Sequence, residues 1–172
     1  MMVEFNSFDD EPWILRLVEY TQKALEHPHV KVIGVCFGHQ ILGRALGSRV
    51  AKHERGTWEV SVCEVQQTEK GKELFGGKDV LMHKDIVCEY VSGVEALGST
   101  DVCQVQGMYI SRRLISVQGH PEFDEEIERE LLEKRHYQGV FNKQLFTDGM
   151  RRVAKPQDGV LVAQGFLRFL ME

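Results

Sequence analysis

The sequence predicts an α/β protein, with a mostly parallel core sheet, some antiparallel additions and flanking helices. Apolar residues at helical spacing occur near both ends of the 172-residue chain. Short apolar runs at 30–35 and 114–117 have the length of buried strands. Between these runs lie segments in which apolar and polar residues alternate, as they do in half-buried strands. The length suits one domain, and we expect residues 1–172 to form it.

The first predicted helix begins after Asp9 or Asp10, either of which can cap it, and it tolerates Pro12 in its first turn. Its apolar residues recur at helical spacing, at Ile14, Leu17, Val18, Ala24 and Leu25. Pro28 ends this helix, and residues 30–35 then predict a buried strand. A second helix has its apolar stripe at 41, 42, 45 and 46, and Gly47 can close it.

The middle of the chain is predicted to be rich in strands. Trp58, Val60 and Val62 alternate with Glu59 and Ser61, which is typical of a half-buried strand. Further strands are predicted at 79–82, 86–91, 102–110 and 113–118.

Two more helices are predicted in the last third of the chain. The first follows Pro121, and its apolar residues are Phe123, Ile127 and Leu131. The second begins at Asp158, and we expect its inward-facing residues to be Leu161, Phe166 and Leu170.

Composition excludes several classes of partner. A net charge of −5 and a pI near 5.8 argue against binding to nucleic acid or to anionic membranes. We find neither a signal-peptide pattern nor the roughly 18 consecutive apolar residues of a membrane helix, and therefore expect a cytoplasmic or nuclear location. The cysteines lack the paired spacing of a zinc site and should be free thiols in a reducing compartment. We expect no metal and no cofactor.

The segment around Cys36 has the order strand, G-x-C-x-G, helix, which is the pattern of a nucleophile on a sharp turn. Such a turn strains the backbone of the nucleophile and brings neighbouring chain close, so Gly34 and Gly38 supply the small residues that it needs. The helix N-terminus should favour the thiolate, and the N–H of Phe37 should form half of an oxyanion hole. In isolation, the motif also fits a buried cysteine in an ordinary glycine-rich turn.

A cysteine nucleophile needs a base, and His120 is the candidate. The apolar run 114–117 leads into Gln118-Gly119-His120-Pro121-Glu122, which places His120 at the carboxyl end of a strand. Glu122 is close enough to accept a hydrogen bond from the imidazole and to fix its tautomer. We therefore expect residues 30–35 and 114–118 to be neighbouring interior parallel strands that bring the Cys36 sulfur and the His120 ring together.

G-x-C-x-G-x-Q followed much later by H-P-E resembles the signature of class I glutamine amidotransferase domains. Four longer segments resemble the free-standing branch of that family, which is related to the amidotransferase domain of GMP synthase and includes γ-glutamyl peptidases. These segments are FDDEPWI at 8–14, VIGVCFGHQILGRALG at 32–47, MHKDIV at 82–87 and SVQGHPEF at 116–123. The resemblance implies a flavodoxin-like core and hydrolysis of a γ-glutamyl amide, such as glutamine to glutamate and ammonia. The partner implied is a small-molecule substrate, with a separate ammonia-accepting enzyme as a further expectation.

By match of motif, the resemblance implies that Cys36 is the nucleophile, His120 the base and acid, and Glu122 the orienting carboxylate. It also implies that Gln40 and the turn at His83 and Asp85 hold the amino-acid end of the substrate.

One departure from the family pattern concerns the start of the chain. Family members have strands, a helix and a glycine-containing turn before the FDDEPWI-like segment, and that turn supplies the second oxyanion donor. Here only MMVEFNS precedes it, so the sequence predicts an N-terminally incomplete domain with weak hydrolysis of glutamine and a tendency to self-associate.

Three alternative functions stay open at this point. One is a γ-glutamyl peptidase acting on glutathione-like peptides, and another is a catalytically impaired binding or regulatory module. The third is an α/β-hydrolase with Asp101 as the acid, although the adjacent H-P-E argues against it.

Overall fold

The computed structural model describes residues 5–53, 58–76, 79–80 and 85–172. The helices are α1 (Pro12–Glu26), α2 (Phe37–Leu46), α3 (Glu69–Leu74), α4 (Glu125–Tyr137), α5 (Lys143–Arg152) and α6 (Gly159–Met171). The strands are β1 (Val32–Val35), β2 (Val50–Lys52), β3 (Cys63–Glu64), β4 (Gln66–Gln67), β5 (Asp79–Val80), β6 (Asp85–Val87), β7 (Glu95–Ser99), β8 (Gly107–Ile110) and β9 (Leu114–Val117).

A mixed five-stranded sheet in the order β1-β9-β8-β7-β4 forms the centre of the fold. The α/β class and the flanking helices are confirmed. Strands β1 and β9 are parallel neighbours, with Val35 opposite Val117, whereas the other three pairs of this sheet are antiparallel. The predicted pairing of these two strands is correct. In the described part of the chain, however, β1 has β9 as its single strand neighbour, so β1 lies at the edge of the sheet and is not interior.

Both faces of the central sheet are covered by apolar side chains. On one face, Ile115 and Val117 of β9 pack with residues from α3 and α6. On the other face, Leu114 packs in a cluster with Leu42 of α2. Because successive side chains of a strand point to opposite faces, β9 is anchored from both sides, and the position of its carboxyl end is fixed. His120 follows that end.

Several predicted strands are shorter than the sequence patterns indicated. The strand predicted at 86–91 is observed at Asp85–Val87, and that at 102–110 is observed at Gly107–Ile110. Of the segment 79–82, residues 79–80 form β5, and 81–82 lie outside the described residues.

The prediction of a strand at 58–63 is wrong, because the strand observed in this region, β3, begins only at Cys63. Residues 59–62 are buried without exception, and Ser61 has φ = 62°, in the left-handed region. The alternation of residue types therefore does not reflect alternating exposure.

The helices α3 and α5 were not predicted, although both begin with a side-chain cap. Thr68 accepts a hydrogen bond from the N–H of Gly71, and Asn142 accepts one from that of Leu145. At α1, by contrast, the predicted aspartate cap is wrong. Glu11 occupies the N-cap position without a side-chain bond, while Asp9 bonds to Asn6.

The inward face of α6 differs from prediction, and one of the apolar residues that predicted α4 is exposed. Ile127 is 40 % exposed and Leu170 is 47 % exposed. On α6 the buried positions include Val162, Gly165 and Phe169. Gly165 allows the helix to approach Phe75, because an added Cβ would lie 2.6 Å from that ring. A glycine on the contact face carries no apolar signal, and this explains the error.

A buried carboxyl group lies on the inner face of α4. Glu128 is 1 % exposed, beside a cluster that includes Val60 and Leu132. Among the described residues, neither of its carboxyl oxygens has a hydrogen-bond partner at normal geometry, although the Ser61 backbone N–H is near enough to lower its pKa. Burial raises the pKa of Glu128 to about 7, and the nearby backbone of Ser61 and the charge of Arg152 offset this only in part.

This buried carboxyl predicts a stability that falls as the pH rises from about 4.5 to 7. Over that range Glu128 ionises in the unfolded chain but stays protonated in the folded protein. The unfolded state therefore becomes more stable relative to the folded state as the pH rises. Glu128→Gln removes the ionisation and should raise the free energy of unfolding by about 2–3 kcal/mol at pH 8, and by little at pH 5. Urea unfolding at both pH values measures this. Glu130→Gln, at an exposed position of the same helix, is the matched control, and equal effects of the two variants would contradict the assignment.

Candidate active site

Cys36 lies at the tip of a sharp turn between β1 and α2. Its backbone has φ = 49° and ψ = −103°, a region that residues other than glycine rarely adopt. The N–H of Cys36 donates to the carbonyl oxygen of Val117 at 3.0 Å, and its own carbonyl accepts from the N–H of Gln40 at 3.0 Å. Bonds to both the strand and the helix thus hold the strained residue in place.

The two glycines of the motif have different structural roles. A Cβ at Gly34 would lie 2.5 Å from Leu42 Cδ1 and 2.9 Å from the backbone carbon and oxygen of Gly38. A Cβ at Gly38 would meet no atom of the described residues within 4 Å. Close packing therefore requires glycine at 34, but the expectation that residue 38 must also be small is wrong for side-chain space.

Gly34→Ala should destabilise the protein by about 2–3 kcal/mol, because the new methyl group overlaps backbone that cannot move independently. Gly38→Ala should be neutral or stabilising by up to about 1 kcal/mol, since alanine favours the helix. Denaturant unfolding followed by circular dichroism compares the two variants, and equal destabilisation would refute the difference in packing.

The resting state of Cys36 is the thiol, contrary to the expectation from its position at a helix N-terminus. Burial raises the pKa of Cys36 to about 11, and the carboxylates of Glu122 and Asp85 add to this. The backbone of Phe37 and the charge of Arg135 lower the pKa by less than burial raises it. Near neutral pH, attack by the sulfur therefore requires a group that removes its proton.

His120 has the contacts of an oriented base. Its Nδ1 lies 2.7 Å from Glu122 Oε1, and its ring stacks on Phe123 with centroids 4.2 Å apart and planes 3° from parallel. A carboxylate can only accept, so Nδ1–H is the donor in this contact, and Nε2 carries the lone pair whenever the ring is neutral. The stacking restricts rotation of the ring. The predicted contact between His120 and Glu122 is thus present in the structure.

Most of the predicted site residues line a single cavity of about 500 Å³. This volume lies within the usual range for small-molecule sites. The predicted residues that line it are Cys36, Phe37, Gln40, Asp85 and His120. Glu122 contacts His120 but does not belong to this lining. The candidate His83 lies outside the described residues.

Gln40 is buried and takes part in a hydrogen-bond network beside the cavity. Its Oε1 accepts from Ser7 Oγ at 2.7 Å, and its Nε2 donates to the carbonyl oxygen of Asp85 at 2.9 Å and to Gln118 Oε1 at 3.2 Å. The amide thus connects the first described turn of the chain, α2, β6 and the end of β9. Contact of Gln40 with a substrate stays a prediction.

Several residues that line the cavity were not predicted as site residues, and those that lie outside both motifs include Ser7, Trp58, Leu131 and Arg135. The ring of Trp13 stacks on that of Phe37 with centroids 5.7 Å apart, which packs the start of α1 against the start of α2. The only sequence signal for Ser7 was its place beside the FDDEPWI segment.

Asp101 and the remaining cysteines stand apart from this site. Asp101 is exposed and does not line the cavity, so the α/β-hydrolase alternative has no support. Cys63 accepts from Arg152 at 2.9 Å, and Cys103 is buried. In the described part of the chain, no cluster of three potential metal ligands occurs, and no helix combines the length and apolar character needed to span a bilayer.

Comparison with known sequences identifies the relatives of this chain. Residues 6–138 match the sequence profile of the family described as glutamine amidotransferase class-I. A putative glutamine amidotransferase-like protein of Schizosaccharomyces pombe is 36 % identical over 167 residues, which cover 95 % of this chain and 67 % of that protein. Gamma-glutamyl peptidase 3 of Arabidopsis thaliana is 33 % identical over 138 residues, which cover 75 % of this chain and 55 % of that protein.

Solved structures share the fold at low sequence identity. A glutamine amidotransferase from Methylobacillus flagellatus has a TM-score of 0.76 at 19 % identity, over 98 % of this chain and 73 % of that one. A glutamine amidotransferase from Thermotoga maritima has a TM-score of 0.73 at 16 % identity, over 98 % of this chain and 75 % of that one. The similarity in architecture therefore extends over nearly the whole of the present chain.

Proposed function

Because the chain belongs to the class I glutamine amidotransferase family, we propose that it hydrolyses a γ-glutamyl amide bond through a triad of Cys36, His120 and Glu122. The observation that carries the proposal is the 2.7 Å contact between His120 Nδ1 and Glu122, with the His120 ring and Cys36 lining one cavity. Nucleophile, base and orienting group are the components of covalent amide hydrolysis.

The reaction begins with transfer of the Cys36 thiol proton to Nε2 of His120 as the sulfur attacks the γ-carbonyl carbon. The carbonyl oxygen becomes an oxyanion, for which the N–H of Phe37 is the proposed donor. The tetrahedral intermediate collapses, the carbon–nitrogen bond breaks, and His120 returns the proton to the leaving nitrogen. Water then attacks the thioester with His120 again as base, which releases glutamate and restores the thiol.

Two substrate classes fit this chemistry and differ in the leaving group. With glutamine the leaving group is ammonia, which would pass to a separate acceptor enzyme or into solvent. With a γ-glutamyl peptide it is an amino acid or a peptide. The relatives named gamma-glutamyl peptidases favour the second class, as does a cavity whose lining extends beyond Cys36 to Trp58, Leu131 and Val140.

The test is a comparison of glutamate release from glutamine, γ-glutamylglycine and γ-glutamyl-cysteinylglycine. We expect release from at least one of the three, with one equivalent of amine or ammonia per glutamate. Rates measured under identical conditions in the Cys36→Ala variant give the background. If the native chain matched this background with all three compounds, the proposed hydrolysis would be wrong.

A further inference from the structure

We propose that Arg135 is a specificity-determining residue, which binds a carboxylate of the amino acid that leaves when the γ-glutamyl bond is cleaved. This inference rests on the proposed function, which it narrows to γ-glutamyl amino acids and peptides with a free carboxylate on the leaving side. Arg135 lies on α4, which begins a few residues after the triad, and it lines the same cavity as Cys36 and His120.

The residues that line the cavity include two groups in mutual contact that come from different parts of the fold, and we call these groups its two walls. One wall contains Ser7, Gln40 and Asp85, which are joined by the hydrogen bonds of the Gln40 amide. The other wall includes Trp58 and Arg135 and is backed by the apolar cluster around Phe141. Two walls that differ in chemistry suit a substrate with two dissimilar ends.

The charges in the cavity are also divided between these walls. Among the described lining residues, Arg135 carries the one permanent positive charge, while Asp85 carries a negative charge on the Gln40 wall. If the Gln40 wall receives the glutamyl end, the leaving group extends toward Arg135. Ammonia offers nothing for a guanidinium to bind, whereas an amino-acid leaving group offers a carboxylate.

The side chain of Arg135 is positioned by stacking. Its guanidinium carbon lies over the Trp58 ring, 4.9 Å from the centroid, and Trp58 packs edge-on against Phe141 with centroids 5.1 Å apart. Stacking engages the face of a guanidinium, and its N–H groups point outward in the plane. An arginine held in this way can bind a carboxylate at a lower entropic cost than a freely rotating side chain.

A second cavity adjoins this wall and offers surface for a longer leaving group. This second cavity, of about 530 Å³, shares Trp58 and Val140 with the first and is lined further by residues around the start of α5, such as Asn142. Residues of a peptide that follow the γ-glutamyl bond therefore have an adjoining surface to occupy.

The experiment compares substrates that differ only in the carboxylate. We would measure kcat/KM for γ-glutamylglycine, γ-glutamylglycinamide and glutamine in the native protein, in Arg135→Ala and in Arg135→Lys. Arg135→Ala should lower kcat/KM for γ-glutamylglycine by about 10- to 100-fold, the usual range for a hydrogen-bonded charge. The glycinamide and glutamine should lose much less, by the small effect common to all substrates of removing a charge that lowers the Cys36 pKa, and Arg135→Lys should retain part of the preference. Arg129→Ala on the same helix, where Arg129 pairs with Glu125, is the matched control.

Three results would overturn the proposal. If Arg135→Ala reduced kcat/KM equally for all three substrates, Arg135 would bind the glutamyl end of the substrate or stabilise the fold. If the native protein did not prefer the glycine over the glycinamide, or if Arg129→Ala reproduced the effect, no carboxylate site would exist at Arg135.

Calorimetric binding of the two compounds to Cys36→Ala, with and without Arg135→Ala, separates this proposal from the proposed function. If binding showed an Arg135-dependent preference for the carboxylate but the native protein showed no turnover, the binding site would stand and the proposed hydrolysis would be wrong. If the native protein showed turnover but binding showed no such preference, the proposed hydrolysis would stand and the carboxylate site would be wrong.

Discussion

Cys36→Ala is expected to remove essentially all hydrolysis of the γ-glutamyl bond, by about 10⁴-fold or more, because no covalent intermediate can form. Cys36→Ser should be almost as inactive, since a hydroxyl is a weaker acid than a thiol and His120 is set to receive a thiol proton. Stopped assays of glutamate release measure both variants. Thermal unfolding verifies that they fold, which we expect because Cys36 is held mainly through its backbone.

Cys103→Ala is the matched control for this loss. Cys103 is a buried thiol, and burial raises its pKa to about 12, as it raises that of the half-buried Cys36, but Cys103 does not line the cavity. Its removal should leave the rate of hydrolysis close to that of the native chain. Full activity in Cys36→Ser, or equal losses in the Cys36 and Cys103 variants, would contradict a nucleophilic role for Cys36.

The residues of the proposed triad could be selected from the sequence because each half of it is a local motif. Gly34 and Cys36 belong to one turn, and His120 and Glu122 belong to another. Both turns follow short apolar runs that are neighbouring parallel strands in the structure. Pairing of the two strands then brings together residues that are far apart in the chain, and this step needs only the general rule for α/β sheets.

The other residues of the cavity could not be predicted, because tertiary packing alone brings them to it. Ser7 reaches Gln40 across 33 residues, and Arg135 is placed by its contact with Trp58. The pattern at 58–63 was misleading for a related reason. Glu59 and Ser61 are as buried as Val60 and Val62, so polarity at these positions does not indicate exposure, and Glu59 instead accepts a hydrogen bond from Gln106 inside the protein. The acidity of Cys36 is a third example, because burial raises its pKa by more than the backbone N–H of Phe37 lowers it.

His120→Ala should lower kcat/KM by about 10²- to 10⁴-fold, the range for loss of general acid–base catalysis, or further if no other group deprotonates the thiol. The raised pKa of Cys36 makes this dependence strong, since the thiol predominates at neutral pH. Glu122→Ala should lower kcat/KM by less, about 100-fold, because it removes the orientation of the ring but leaves the base.

Combining His120→Ala with Cys36→Ala should lower the rate little further than Cys36→Ala alone, because the effects of residues that act as a unit are not additive. Initial rates of all four variants, measured at one pH and compared with the uncatalysed reaction, test whether the residues act as a unit. A loss in the double variant equal to the product of the two single losses would mean that the residues act independently, and the triad mechanism would then be wrong.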